Sequence, residues 1–192
     1  MHGRGADADD LQPLLDLLDP AARLLGIFPR GPLTLPPGGR HWYIVRQVGF
    51  PDPPTFLPTF EALAPHLDAV LAEHGLRWEE TAVGGFSQGA VMSYSLALAA
   101  GRPRPAAILA FSGFIPSVER FDLALADRTG LSVSISHGTL DPVISVGFGR
   151  DARDRLSAAG LAVRYREDPV AHTISTGALA QARDVIAAAL GA

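Results

Sequence analysis

Residues 81–100 read TAVGGFSQGAVMSYSLALAA and contain the pattern G-x-S-x-G. The residues before the serine favour a β-strand, and those after it predict a buried helix with small side chains on every side. A serine on the tight turn between strand and helix needs small neighbours, which Gly85 and Gly89 supply. Such a turn raises the Ser87 hydroxyl above the sheet and places free N–H groups of the helix below a developing oxyanion. The stretch therefore predicts a nucleophilic serine; a glycine-rich turn with an ordinary serine is the alternative.

Strands and helices alternate along most of the chain. The predicted strands are at 23–28, 41–48, 81–86, 106–111, 131–136 and 161–166. The predicted helices are at 10–18, 57–75, 88–100, 147–159 and 175–190. The prolines of residues 49–58 predict a loop there, which would cover the site as a small lid. The alternation predicts an α/β fold with one domain over residues 1–192, a mostly parallel sheet, and helices on both faces.

Composition excludes several kinds of chemistry. The 192 residues carry a formal net charge of −4 and include no cysteine, lysine or asparagine. A thiol nucleophile, a thiolate zinc site, a disulfide, a Schiff-base lysine and a P-loop are therefore excluded. The negative charge argues against binding to nucleic acid, and no apolar run approaches the roughly 18 residues of a membrane span. Because the first residues contain no apolar leader, a cytoplasmic location is expected.

A serine nucleophile needs a histidine base and an acid that orients it. On an α/β sheet, the base belongs on a loop at the carboxyl end, after the acid in sequence. Of the six histidines only His172 meets both conditions, because it lies between the last predicted strand and the last predicted helix. Asp141, just beyond the strand 131–136, is the predicted acid, and Asp168 is the rival, interpreted as a turn residue. The order Ser87, Asp141, His172 is that of the α/β-hydrolases.

Two N–H groups are needed to bind an oxyanion. Gln88, the residue after the nucleophile, is expected to supply one, and a glycine-rich turn near the N-terminus the other. HGRG at 2–5 is such a turn, with the backbone amide of Arg4 as the donor. The helix 10–18 is expected to hold this turn in place through its leucines. A frayed terminal turn without a role is the alternative.

These motifs together resemble the phospholipase/carboxylesterase family, the small α/β-hydrolases that include acyl-protein thioesterases. The matching segments span almost the whole chain in family order: HGRG at 2–5, GRHWY at 39–43, GFSQGA at 85–90, SGFIP at 112–116, HGTLDPV at 137–143, and His172. The resemblance implies an α/β-hydrolase fold and hydrolysis of short acyl esters, lysophospholipids or acyl-thioesters. It also implies that no metal and no organic cofactor takes part.

The chain departs from the family pattern at two places. Members usually have Gly-His-Glu around the base, where this chain has Ala171, His172 and Thr173. Members also have a strand before the HG turn, next to the strand that ends at the serine, whereas this chain begins at the turn. We therefore expect a sheet that lacks the N-terminal strands of the family, closed over their absence or shifted in register at its first elements. A reading frame truncated at its start is the third explanation left open.

The leading hypothesis is a serine carboxylesterase that hydrolyses esters of short to medium acyl chains through Ser87, His172 and Asp141. An acyl-protein thioesterase or a lysophospholipase with the same three residues is the first alternative. A non-catalytic relative that binds a ligand is the second. No cofactor and no metal are expected.

Four apolar residues are candidates for the substrate pocket: Trp42, Phe50, Phe114 and Ile144. The expected partner is a small-molecule ester. Neither nucleic acid nor stable insertion into a membrane is expected, and a homodimer is left open.

Overall fold

The computed structural model describes residues 1–191. Within them, the regular elements follow in chain order as α1 (Gln12–Leu18), β1 (Leu33–Thr34), β2 (Arg40–His41), β3 (Val45–Gln47), β4 (Phe50–Pro51), α2 (Pro53–Glu73), β5 (Ala82–Phe86), α3 (Gln88–Leu98), β6 (Ala107–Phe111), β7 (Ser132–Gly138), α4 (Val146–Ala158), β8 (Ala162–Asp168) and α5 (Thr176–Leu190). Short 3-10 helices lie at Ala8–Leu11, Trp78–Glu80 and Leu125–Arg128.

Strands β5 to β8 form a four-stranded sheet in chain order, and every neighbouring pair is parallel. The last four predicted strands correspond to these four, and the helices predicted between and after them correspond to α3, α4 and α5. Connections between parallel strands of one sheet are almost always right-handed. Connections that run in the same direction along the sheet therefore lie on the same face. The α/β fold expected from the sequence is therefore confirmed.

Strand β6 shows how the two faces are covered. Ile108 and Ala110 pack into a core cluster that also contains buried residues of α2, α3 and α4. Ala107, Leu109 and Phe111 pack into a second cluster with buried residues of α5. Because successive side chains of a strand point to opposite faces, this alternation places helices on both sides of the sheet.

The prediction of a loop over residues 49–58 is wrong for its second half. α2 begins at Pro53 and continues through Pro58 and Pro65. A proline at the first helical position removes an N–H that has no partner anyway, whereas each interior proline costs about 3 kcal/mol. The helix buries Phe56, Leu63 and further apolar side chains along one face, each of which contributes about 1.5–3 kcal/mol. This burial outweighs the lost hydrogen bonds, and the lid suggested by the sequence is in part the start of a helix.

The prediction of a strand at 23–28 is also wrong. The segment forms no regular element, and Leu25 is 54% exposed. The Asp19 carboxylate accepts hydrogen bonds from the amides of Arg23 and Leu24, which turns the chain there. The extended stretch predicted at 41–48 is likewise broken into the short strands β2 and β3.

Met1 forms two hydrogen bonds with the backbone of β5 at the outer edge of the sheet. Its amino group donates to the Gly84 carbonyl (2.6 Å), and the Phe86 amide donates to the Met1 carbonyl (3.2 Å). Burial lowers the pKa of this amino group to about 5. An apolar cavity of about 610 Å³ extends along the same edge, between α1 and the end of α5. Within residues 1–191 no further strand pairs with this edge.

Candidate active site

Ser87 occupies a strained turn between β5 and α3. Its backbone has φ 56° and ψ −119°, a left-handed conformation that costs of order 1–3 kcal/mol for a residue other than glycine. A Cβ at Gly85 would lie 2.3 Å from the carbonyl carbon of Gly89, so no side chain fits at position 85. The Ser87 amide donates to the Phe111 carbonyl of β6 (2.9 Å), which ties the turn to the sheet. The strand-to-helix turn expected at Ser87 is therefore present.

His172 lies between Ser87 and Asp141. Its Nε2 is 2.9 Å from Ser87 Oγ, and its Nδ1 is 2.6 Å from Asp141 Oδ2. With Nδ1–H donating to the carboxylate, Nε2 is free to accept the proton of the Ser87 hydroxyl. The ring also packs against Phe86, with centroids 4.7 Å apart, which fixes its tilt. The structure thus brings together the three residues that the sequence selected for catalysis.

The Asp141 carboxylate is buried and fully hydrogen-bonded. Its Oδ1 accepts from the amides of Val143 (2.8 Å) and Ile144 (2.9 Å), while Oδ2 faces His172. Burial alone raises the pKa of Asp141, but the hydrogen bonds from His172, Ile144 and Val143 together lower it below its ordinary value. The carboxylate is therefore ionised at neutral pH and can stabilise a cationic imidazole.

Two loops that follow neighbouring strands hold the acid beside the base. The amides of Thr139 and Leu140 donate to the carbonyls of Asp168 (2.8 Å) and Val170 (3.1 Å). A Cβ at Gly138 would lie 2.3 Å from the Val170 carbonyl, so the loop after β7 can approach the loop after β8 only with glycine there. Because β7 and β8 are parallel neighbours, their carboxyl ends meet at one edge, and the side chains that follow them meet as well.

A second histidine lies beneath the acid. His137, at the end of β7, is buried, and its Nε2–H donates to the Ile144 carbonyl (2.8 Å). The same Nε2 is 3.5 Å from Asp141 Oδ2. Burial lowers the pKa of His137, so its ring is neutral. The sequence indicated His137 only as part of the HGTLDPV segment. Its place at the end of β7, four residues before the acid, was a signal for a supporting role.

The rival acid Asp168 is engaged elsewhere. Its carboxylate forms a two-pronged ion pair with Arg166 (both contacts 2.7 Å) and accepts a hydrogen bond from the Ser175 hydroxyl. The Arg166 hydrogen bond lowers the pKa of Asp168, with a smaller contribution from Ser175. The acid that contacts the His172 ring is therefore Asp141.

The two predicted oxyanion donors belong to segments that border Ser87. Gln88 is the first residue of α3, and residues 3–6 form a turn in which the Ala6 amide donates to the Gly3 carbonyl (3.3 Å) and Gly5 has φ 84°. A Cβ at Gly3 would lie 3.5 Å from Ser87 Cβ, so this turn touches the nucleophile. Within residues 1–191 the Arg4 and Gln88 amides donate no hydrogen bond.

The turn is anchored differently from what the sequence predicted. The Gly5 amide donates to the Arg40 carbonyl, and the Arg40 amide donates to the Ala6 carbonyl (both 2.8 Å). A Cβ at Gly39 would lie 2.0 Å from the Gly5 carbonyl oxygen, so the two segments are in close contact. α1 has no buried residue, and its Leu14, Leu15 and Leu18 line the cavity at the edge of β5 instead. The anchor is thus the segment around β2, because it supplies backbone partners.

The candidate substrate residues differ in exposure. Trp42, Phe114 and Ile144 are buried, and Phe114 packs against Phe148 with ring centroids 5.3 Å apart. Phe50 is 53% exposed. Of the four, only Phe50 presents an open apolar surface.

Within residues 1–191, no cluster of three or more His, Cys, Asp or Glu side chains is arranged to hold a metal ion. No helix in the same range combines the length and the apolar character needed to cross a membrane. The cavity of about 610 Å³ along β5 is lined by neither Ser87 nor His172, so it is separate from the site.

Comparison with known proteins gives consistent results. The sequence profile of the Phospholipase/Carboxylesterase family matches residues 1–190. Acyl-protein thioesterase 1 of Debaryomyces hansenii is 27% identical over 175 residues, which cover 87% of this chain and 73% of that protein. Acyl-protein thioesterase 1 of Candida albicans is 26% identical, with 94% and 86% covered. The crystal structure of the Bacillus cereus carboxylesterase has the same fold, with a TM-score of 0.81, 23% identity, and 98% and 86% of the chains covered.

Proposed function

The chain belongs to the phospholipase/carboxylesterase family of α/β-hydrolases, and from this premise we propose that it is a serine esterase. The proposed substrates are carboxylic esters of short to medium acyl chains, and the proposed catalytic residues are Ser87, His172 and Asp141. The observation that supports the proposal most is the continuous line of hydrogen-bonding contacts from the Ser87 hydroxyl through both nitrogens of His172 to the Asp141 carboxylate.

In the acylation step, Ser87 Oγ attacks the carbonyl carbon of the ester while its proton passes to His172 Nε2. The carbonyl π electrons move to the oxygen, and the resulting oxyanion accepts hydrogen bonds from the backbone amides of Arg4 and Gln88. Asp141 stabilises the imidazolium that forms. The C–O bond to the alcohol then breaks, the alcohol oxygen takes the proton from Nε2, and an acyl-Ser87 ester remains.

In the deacylation step, a water molecule attacks the acyl carbon and gives a proton to His172 Nε2. The same two amides bind the second oxyanion. When the bond to Ser87 Oγ breaks, the proton returns from Nε2 to Oγ, and the carboxylic acid leaves. The cycle consumes one water per ester and uses only side chains and amides of this chain.

Thioester cleavage is the second candidate, because the curated relatives are acyl-protein thioesterases. A lysophospholipid would react by the same steps. An exposed apolar side chain beside the acid favours an acyl chain longer than acetyl: Val143 is 53% exposed, and its amide donates to the Asp141 carboxylate. The chemistry is common to all three substrate classes, and the leaving group distinguishes them.

Turnover of p-nitrophenyl butyrate by the wild-type protein and by Ser87→Ala tests the proposal. We expect the variant to fold normally and to lose roughly 10³-fold or more in kcat, because the three residues act as a unit. Ser112→Ala is the matched control, since Ser112 also follows a strand of the sheet with a positive φ of 51°. Labelling by a fluorophosphonate should vanish in Ser87→Ala and persist in Ser112→Ala. Folded wild-type protein without labelling or turnover would instead support the non-catalytic binding protein.

A substrate panel then separates the candidates. p-Nitrophenyl esters from acetate to palmitate, an acyl-thioester and a lysophospholipid are compared by kcat/KM. The proposal expects the highest value for an ester of short to medium chain; a higher value for the thioester would make thioester cleavage the function. The cytoplasmic location remains a prediction, checked by cell fractionation. The sequence left a homodimer open, and light scattering measures the oligomeric state.

A further inference from the structure

The side chain of Gln88 connects α3 to a distant segment. Gln88 is 4% exposed; its Oε1 accepts a hydrogen bond from the Trp42 amide (3.0 Å), and its Nε2 donates to the Tyr43 carbonyl (2.8 Å). These bonds span 46 and 45 residues of sequence. The proposed mechanism uses only the backbone amide of Gln88, so the side chain has a separate task.

Trp42 extends this connection to the N-terminal turn. Its indole N–H donates to the His2 carbonyl (2.9 Å), and its ring packs on the His2 ring with centroids 5.0 Å apart. The same His2 carbonyl lies close to α3, since a Cβ at Gly89 would be 2.7 Å from it. Trp42 is 1% exposed, so this contact is shielded from water and its geometry is tightly held.

We propose that Gln88 is a positioning residue of the oxyanion hole as well as one of its donors. By holding Trp42, its side chain fixes where the Arg4 amide stands relative to the Gln88 amide. This inference rests on the proposed function, because it assigns a task within that site. It makes the separation of the two donors depend on one residue, which contributes an N–H from its backbone and sets the other N–H through its side chain.

Displacement of the Arg4 amide should affect the transition state more than the bound substrate. Charge develops on the carbonyl oxygen only as the tetrahedral intermediate forms, so donors placed for the oxyanion affect kcat more than ground-state binding. A displacement of about 1 Å in such a group costs on the order of 10²-fold in rate. A residue that only stabilised the fold would change the melting temperature and leave the turnover of the folded fraction unchanged.

Gln88→Met tests the inference, because methionine keeps the length and volume of the side chain and removes both hydrogen bonds. The matched control is Gln181→Met: Gln181 of α5 also uses its side-chain amide to hold backbone, donating to the carbonyls of Ile135 (3.2 Å) and Arg164 (3.1 Å). Melting temperature, kcat and KM for p-nitrophenyl acetate, and the Ki of an aliphatic trifluoromethyl ketone are measured for both.

For Gln88→Met we expect kcat to fall roughly 10- to 100-fold and the Ki of the ketone, whose adduct carries an oxyanion, to rise by a similar factor. KM should stay within about twofold. For Gln181→Met both constants should stay within about twofold of wild type, even where the melting temperature falls. An unchanged kcat in folded Gln88→Met, or equal losses of kcat in the two variants, would overturn the inference.

Trp42→Phe is the second variant, and it decides the matter where Gln88→Met does not fold. It keeps an aromatic ring at this position and removes the indole N–H that reaches the His2 carbonyl, together with part of the ring volume. We expect kcat to fall about 3- to 10-fold with KM unchanged; an unchanged kcat would overturn the inference. A wild-type protein without Ser87-dependent turnover would overturn the proposed function, and the inference with it, whereas active wild type with unaffected variants would overturn the inference alone.

Discussion

The candidate site has two halves that are built in different ways. In the acid–base half, residues 137–144 and 168–173, the functional side chains follow directly from two neighbouring parallel strands. In the oxyanion half, residues 2–6 and 40–43, the chain is almost without regular structure and is held by hydrogen bonds to distant backbone and to one glutamine. The first half takes its geometry from the sheet, while the second takes it from individual contacts. We therefore expect the two halves to respond differently to substitution and to pH.

The largest effect is expected in the acid–base half. Asp141→Asn should lower kcat by about 10⁴-fold, because an amide favours the wrong imidazole tautomer and does not stabilise the imidazolium. Asp168→Asn is the matched control at the end of the neighbouring strand, and its kcat should stay within about threefold, since its carboxylate contacts Arg166 and Ser175. Steady-state kinetics with p-nitrophenyl butyrate check both. A larger loss at Asp168 would mean that the acid is misassigned.

An intermediate effect is expected in the oxyanion half. Arg4→Pro removes the backbone N–H of residue 4, and proline suits this place because residue 4 is the second residue of a turn whose third residue, Gly5, has φ 84°. The loss of one oxyanion donor should lower kcat about 10²–10³-fold with little change in KM. Arg4→Ala keeps the N–H and should stay within about threefold. Equal kinetics for the two variants would place the second donor elsewhere.

The smallest effect is expected in how the free energy of unfolding depends on pH. Burial lowers the pKa of the Met1 amine, next to the oxyanion half, to about 5. Burial also lowers the pKa of His2 in the oxyanion half and of His137 in the acid–base half. Because these pKa values lie below those of the unfolded chain, unfolding takes up protons, and the free energy of unfolding falls as pH decreases. Each such group changes it by up to about 1.4 kcal/mol per pH unit. The Met1 amine acts from about pH 8 downward and the histidines below about pH 6.5.

Denaturant unfolding at pH 8.0, 6.5 and 5.5 measures these contributions. His2→Gln should flatten the decline below pH 6.5, because a proton on His2 would break the bond that the Gly31 amide donates to its Nε2 (2.9 Å). His137→Gln should flatten the same window. Neither variant should alter the decline between pH 8.0 and 6.5, which belongs to the Met1 amine. A wild-type protein whose stability is constant from pH 8.0 to 5.5 would contradict this assignment.

The difference between the halves also explains what the sequence predicted well. Asp141 and His172 follow strands with clear apolar patterns, and parallel strands bring their carboxyl ends to one edge, so order along the chain was enough to select them. Ser87 was marked by its glycines. The contact of Gln88 with residues 42–43 left no such pattern, since a glutamine side chain that pairs with backbone gives no periodic signal. The sequence did not predict that a helix starts at Pro53, because the prolines of residues 49–58 indicate a loop more strongly than the apolar face indicates a helix.

The buried amine of Met1 has a consequence for chemical modification. The sequence contains no lysine, so the α-amine is the one primary amine of this chain, and it is hydrogen-bonded to the Gly84 carbonyl. Reagents that acylate amines should leave the α-amine of the folded protein unmodified and react with it once the first residues detach from β5. The yield of the Met1 adduct of an N-hydroxysuccinimide ester, located by mass spectrometry, would therefore measure how often the N-terminal turn opens. No side-chain amine contributes to this signal.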